Sequence, residues 1–214
     1  MTDEHDFWDA GGIYRPPTHP VVELFARQRT AYLSARGLLG DVRSLLDVGA
    51  GSGFSSSYYP AAIRVAACDY APGMLVSNPV RDRLVCSAYA LPFSDSQFDA
   101  VSCWELLHHL DEPTTAIREM LRVARRRVII FEPNRVNPGH IWLGLTRKNE
   151  RRCLRFSPRY LRRLVEPTGG RITQHIRCGL LFPNITPLPV ARWLARAPFR
   201  VPLIAISQLL ILEK

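Results

Sequence analysis

No long uninterrupted hydrophobic run is present in the 214 residues of the chain. The longest apolar stretch, Val201 to Leu212, is broken by Pro202, Ser207 and Gln208 and falls short of the roughly 20 residues that span a bilayer. Met1 to Asp9 is acidic and polar, so no secretory leader is expected. Cysteine is scarce: five residues, Cys68, Cys86, Cys103, Cys153 and Cys178, are odd in number, widely spaced and without a C-x-x-C pair. They read as free thiols in a reducing compartment, with neither a disulfide framework nor a metal cluster. Internal repeats and low-complexity tracts are also lacking. The expectation is one soluble, cytoplasmic domain over residues 1–214, large enough for a sizeable core.

Lysine is nearly absent, with two residues against twenty-six arginines, yet the net charge is +9. That charge is split along the chain. Residues 1–114 carry eight basic against fourteen acidic groups, and residues 115–214 carry twenty against five, giving −6 and +15. A basic C-terminal half suits an acidic or phosphorylated substrate, an anionic membrane surface or nucleic acid.

The chain is organised around Ser44 to Phe54, S-L-L-D-V-G-A-G-S-G-F. An apolar run containing Asp47 breaks into alternating glycines, which predicts a buried strand, a tight turn and the start of a helix. Gly49, Gly51 and Gly53 allow positive φ and let a ligand approach the backbone, where amides at a helix start favour an electron-rich partner. A dinucleotide fingerprint would need glycine at Phe54, and a P-loop would need Gly-Lys-Ser/Thr. Both are missing. Ile63 to Cys68 reads as a second strand, and Asp69 at its end is placed to accept from both hydroxyls of a ribose.

Four segments together resemble the successive signatures of class I S-adenosylmethionine-dependent methyltransferases: D-V-G-A-G-S-G at 47–53, D-Y-A-P-G-M-L at 69–75, A-L-P-F-S-D-S-Q-F-D at 90–99 and L-H-H-L-D-E-P at 107–113. The resemblance is closest to the branch that methylates small molecules, quinones and lipids. It covers roughly residues 38–134 well and the remainder loosely. It implies a Rossmann-like three-layer α/β sandwich with a mostly parallel seven-stranded sheet and an antiparallel last strand. Residues 1–37 would form an N-terminal helix and lid, 38–134 the cofactor-binding core, and 135–214 the substrate side and C-terminal strands. The implied cofactor is S-adenosyl-L-methionine, held by Gly49, Ala50, Gly51, Gly53 and Asp69, with Asp47 either orienting the glycine loop or reaching the ammonium of the methionine moiety. Tyr70 and Met74 would flank adenine, Ser87 and Ala88 would lie along its edge, and Cys103 and Trp104 would border the methyl group. Relatives usually carry Asp where this chain has Ser87, which weakens or rearranges the adenine contact.

Candidate proton acceptors follow the fourth strand, in S-C-W-E-L-L-H-H-L: Glu105, His108 and His109. A neutral imidazole or a carboxylate near the methyl group can take the proton of a hydroxyl or activated carbon. No Asn-Pro-Pro-Tyr-like motif for amino nitrogens on adenine or glutamine is present. Further along, His140 and Trp142 are candidate substrate residues, with Tyr14 from the lid, and Asn137 lies beside them. From Arg147 to Arg163 eight positive charges stand against one negative, a density suited to peripheral contact with an anionic membrane. The expected acceptor is small or lipid-like. Alternatives are an RNA methyltransferase, against which stands the lack of an RNA-binding module, and a non-catalytic cofactor-binding partner subunit.

Overall fold

The computed structural model describes residues 14–214, so the first thirteen residues of the expected N-terminal lid and helix segment lie outside the described residues. Seven strands form one sheet: β1 (Ser44–Val48), β2 (Arg64–Asp69), β3 (Asp82–Val85), β4 (Phe98–Trp104), β5 (Ala124–Pro133), β6 (Arg171–Cys178) and β7 (Ser207–Glu213). Their order is β3-β2-β1-β4-β5-β7-β6. The pairs among β1 to β5 are parallel, and β7 runs antiparallel to both of its neighbours.

The sheet is buried on both faces because its central strands are apolar at successive positions. Leu45 and Leu46 of β1 are both fully buried, as are Ile129 and Ile130 of β5. Successive side chains leave a strand on opposite faces, so the two members of each pair meet different helical layers. Leu45, Ile129 and Leu209 pack with Val21, Phe25 and Leu33 of α1 (Pro20–Ala35). Leu46, Ile130 and Leu210 pack with Ile117 and Met120 of a helix over Pro113–Val123 and with Leu161 and Val165 of one over Pro158–Val165. Each such side chain contributes about 1.5–3 kcal/mol by leaving water.

The expected helix after the glycine turn is replaced by one 3-10 turn, Ser56–Tyr58. The segment to Pro60 is rich in glycine and serine, poor helix formers, and Ser55 and Ser56 give their hydroxyls to Asp47 instead. α1 begins as its sequence suggests, with Pro20 in the first turn and the Nδ1 of His19 accepting from the Val21 amide at 3.1 Å. His19 thus caps this helix. Between β5 and Pro158, a helix over Pro138–Thr146 and 3-10 turns over Lys148–Arg155 fold back over the end of the sheet. The Asn137 side chain caps that helix, accepting from the Gly139 amide at 2.8 Å and donating to the Ile204 carbonyl at 2.7 Å.

Candidate active site

The C-terminal ends of β1, β2 and β4 leave a crevice where the order of strands reverses, the usual ligand position of an open α/β sheet. At its centre Gly49, Gly51 and Gly53 have φ of 68°, 46° and 96°. Their crowding differs. A Cβ on Gly49 would stand 2.6 Å from Leu106 Cδ1, and one on Gly53 2.8 Å from Pro79 Cδ, whereas one on Gly51 would meet only the Met74 Cε at 3.1 Å and Asp69 Oδ2 at 3.9 Å. Gly51 is thus the glycine whose side toward the cavity stays open. Its amide donates to Asp69 Oδ2 at 2.8 Å, and the Ala71 amide donates to Oδ1 at 2.9 Å. With the Tyr70 backbone also hydrogen-bonding this carboxylate, only part of its roughly four-site acceptor capacity stays open to an incoming hydroxyl. Burial raises the Asp69 carboxyl above its ordinary range, against these amide hydrogen bonds.

Two cavities meet at Gly49. The first, about 310 Å³, lies over the ends of β2 and β3 and is lined by Asp69, Tyr70, Ser87, Ala88, Leu106 and Leu110 among others. Ser87 points its hydroxyl at its own turn, accepting from the Tyr89 amide at 3.2 Å. The second, about 210 Å³, runs from Gly49, Ala50 and Gly51 past Trp104, Glu105, His108 and His109 to Tyr14, His140, Glu150 and Phe182. Tyr14 therefore borders the second cavity, and burial followed by Glu150 pushes its phenol up. Arg15 ties this segment down, with its Nη1 donating to the carbonyls of Pro183 at 3.0 Å and Thr186 at 2.8 Å.

The polar groups of the second cavity form two clusters. In one, Glu105 adopts φ 55°, a conformation rare outside glycine, and its amide is held by the Phe131 carbonyl at 2.7 Å. Its Oε1 accepts from Arg29 Nη2 at 3.0 Å and from Ser207 Oγ at 3.1 Å. Arg29 is 1 % exposed, and its guanidinium stacks 3.4 Å over the Phe25 ring. Burial carries the Glu105 carboxyl up to about 7, against the opposing pull of Arg29. In the other cluster Glu132, fully buried, accepts from the Leu106 and Leu107 amides at 3.0 and 2.7 Å. Its second oxygen lies 2.9 Å from His108 Nδ1, and burial raises this carboxyl to about 8. The rings of His108 and His109 are 3.9 Å apart. Sequence reading singled out none of Arg29, Glu132 and Glu150. Arg29 was discernible in principle, since it stands in the α1 stripe between Phe25 and Leu33 at helical spacing.

Several expected contacts fall elsewhere. Asp47 lines neither cavity. It is fully buried and accepts from the hydroxyls of Ser55, of Ser56 at 2.6 Å and of Ser102 at 2.8 Å, so of its two expected roles it takes the orienting of the glycine loop, from beneath. Cys103 is also fully buried and packs in the layer under Ile117 and Met120, because Trp104 beside it takes the opposite face. Gly53 borders neither cavity, and Met74 lines the second one, away from Tyr70. Trp142 is 56 % exposed on the outer side of its helix, whereas His140, two positions earlier, is buried. His140 has no well-formed hydrogen bond at either ring nitrogen, and burial lowers its pKa to about 4.

Residues 46–131 match the family model described as a methyltransferase domain. Among curated proteins, the demethylmenaquinone methyltransferase of Renibacterium salmoninarum is 40 % identical over 104 residues, 46 % of this chain and 44 % of that protein. The ubiquinone biosynthesis O-methyltransferase of Xanthomonas oryzae is 35 % identical over 131 residues, 56 % of this chain and 52 % of that protein. The chain thus spans about half the length of these relatives. A solved S-adenosylmethionine-dependent methyltransferase of Thermotoga maritima superposes with a TM-score of 0.68 at 16 % identity, covering 91 % of each chain.

Proposed function

We propose that this chain, a class I S-adenosylmethionine-dependent methyltransferase by its residues 46–131 and its fold, transfers a methyl group to a small or lipid-like acceptor. The observation that carries the reading is the pair of cavities joined at Gly49 and flanked by the Gly51–Asp69 hydrogen bond. Asp69 would take the ribose hydroxyls, Tyr70, Ala88 and Leu106 the adenine, and the backbone at Ala50 and Gly51 the amino acid end. These residues fit the cofactor: remaining acceptor capacity on Asp69, an open side of Gly51 and an apolar slot are all present. S-adenosylmethionine supplies an activated methyl carbon, which leaves the protein the tasks of positioning, excluding water and removing a proton. Glu105 is suited to the last, because it borders the second cavity and its pKa lies near neutrality. Arg29 and Ser207 hold the carboxylate in place, and Trp104 and Phe25 exclude water beside it.

Calorimetric titration with S-adenosylmethionine tests the cofactor site: binding by the wild type, lost or strongly weakened in Gly51→Arg and Asp69→Ala, is expected. Absence of wild-type binding would refute the reading. Labelled methyl groups from the cofactor should then enter an organic extract of a native lysate; entry into RNA instead would favour the nucleic-acid alternative, and no labelled product would favour a partner subunit.

A lipid-like acceptor is further supported by the surface near the second cavity. Among the described residues no helix is long and apolar enough to cross a membrane, yet Val136, Ile141, Trp142, Leu145, Leu203 and Ile204 are all exposed. Asn137 joins two of these segments through its bond to the Ile204 carbonyl, within the half of the chain that carries +15. Apolar tips among arginines suit the interface of an anionic bilayer. Co-sedimentation with phosphatidylglycerol vesicles should fall in Trp142→Ser and with added salt, with cofactor binding retained; equal sedimentation of variant and wild type would refute this contact.

A further inference from the structure

The fold brings together three side chains that are far apart in sequence and have the chemistry of a metal site. His108 follows β4, whereas Glu150 and Cys153 lie on the 3-10 turns after the helix over Pro138–Thr146. Their ligand atoms all fall within 4.8 Å of one another. His108 Nε2 is 3.8 Å from Glu150 Oε2, and Cys153 Sγ is 3.2 Å from the same oxygen. Around a tetrahedral zinc ion with ordinary bond lengths, neighbouring ligand atoms stand about 3.3–3.6 Å apart. The cluster needs only small side-chain adjustments to reach that spacing.

Three further features distinguish it from an accidental meeting of polar groups. His108 is held from behind: its Nδ1 lies 2.9 Å from Glu132 Oε2, and the other oxygen of Glu132 is fixed by two backbone amides. That is the carboxylate–histidine support by which proteins orient a metal-binding imidazole and direct its Nε2 at the ion. His108 also lies between two carboxylates, that of Glu132, fully buried, and that of Glu150, partly buried. Finally, His108 and Glu150 border the second cavity while Cys153 lies behind them, fully buried. An ion held by the three would sit at the cavity floor with one coordination position facing the space for the acceptor.

We propose that His108, Glu150 and Cys153 form a three-ligand site for a divalent transition metal, zinc above all, whose open position receives an ionisable hydroxyl or thiol of the acceptor. The mixed nitrogen, oxygen and sulfur set suits a borderline-soft ion, and three protein ligands with one vacant position are the pattern of catalytic rather than structural zinc. The role of the open position rests on the methyl-transfer reading; the metal site itself does not.

The test uses the full chain stripped with chelator and titrated with cobalt(II), then with zinc(II) in competition. One equivalent of cobalt should bind with a near-ultraviolet thiolate-to-metal band, and zinc should displace it. Cys153→Ala should lose the band and bind about a hundredfold more weakly or worse, Glu150→Gln should weaken binding, and Glu132→Gln should weaken it about ten- to a hundredfold through His108. Cys178→Ala, a buried thiol remote from the cluster, should behave as the wild type. Thermal unfolding and S-adenosylmethionine titration of each variant report on folding and on the cofactor site separately. Wild-type protein that takes up no stoichiometric metal, or a folded Cys153→Ala that keeps the band and affinity, overturns the site. Metal binding without cofactor binding would instead sink the methyl-transfer reading and leave the site standing.

Discussion

Gly51 and Gly53, two positions apart in the same loop, should respond to alanine in opposite ways. At Gly53 the new methyl would lie 2.8 Å from the Pro79 ring and 3.1 Å from both Asn78 Oδ1 and Ser57 Oγ, at φ 96°. The ring cannot rotate away, so an overpacking cost of about 1–3 kcal/mol adds to a left-handed backbone cost of about 1–2 kcal/mol. Gly53→Ala should therefore lose about 2–5 kcal/mol of stability. At Gly51 the only close neighbour is the Met74 Cε at 3.1 Å, the tip of a flexible side chain, and the backbone cost of about 1–2 kcal/mol remains alone. That methyl, however, occupies the open side facing the cavity. Gly51→Ala should bind S-adenosylmethionine at least about tenfold more weakly, equivalent to about 1.4 kcal/mol, while Gly53→Ala should change affinity much less because Gly53 borders neither cavity. Urea unfolding measures the first quantity and calorimetric titration the second. Unaltered affinity in Gly51→Ala, or a Gly53→Ala variant within 0.5 kcal/mol of the wild type (the range of about ±0.5 kcal/mol ordinary for surface changes), would refute the assignment of the two glycines.

Replacing Arg29 by Met strips Glu105 of its cation while keeping much of the buried stem. Because the Glu105 side chain is 31 % exposed, the loss should be about 2–3 kcal/mol, below the range for a fully buried pair, and carbon-13 NMR should find the Glu105 carboxyl titrating above about 7; an unchanged titration would contradict the pairing. Glu105 itself holds its proton more tightly folded than unfolded, with a value raised from 4.5 to about 7. The native state binds more protons in that window, so wild type should lose stability relative to Glu105→Gln as pH rises from 4.5 to 7, as read from urea midpoints. His140 works in the other direction: its value falls from 6.5 to about 4, the unfolded state binds the extra proton, and wild type should lose stability relative to His140→Phe as pH falls from 6.5 to 4. A flat difference across that range would mean that His140 is not buried as a neutral ring.

The parts of the site legible in the sequence are those made by neighbours along the chain. Three glycines at alternate positions announce a strand ending in a turn, and Asp69 after the next apolar run announces a carboxylate at the adjacent strand end. The parallel sheet follows from the alternation of apolar runs with helical segments. Errors arose where the face of an element had to be decided. The signatures put both Cys103 and Trp104 beside the methyl group, yet adjacent strand residues point to opposite faces. Residue type alone puts both His140 and Trp142 in the acceptor pocket, although residues two apart on a helix diverge by about 200°. In each pair one side chain borders the cavity and the other cannot. Asp47 presents a different problem: a carboxylate inside an apolar strand invites a ligand, while the hydroxyls that satisfy it, at Ser55, Ser56 and Ser102, come from the loop and from the neighbouring strand. The polar heart of the second cavity was the least legible because its partners are separated by many residues: Arg29 meets Glu105 across 76 positions and His108 meets Glu132 across 24. The same separation hides His108, Glu150 and Cys153 from any search for metal-ligand spacing. What remains visible in such cases is the cost of the individual residue, an arginine in an apolar helical stripe or a glutamate closing an apolar strand. A buried charge is stable only with a partner, so each of these residues implies an unseen partner before the fold identifies it.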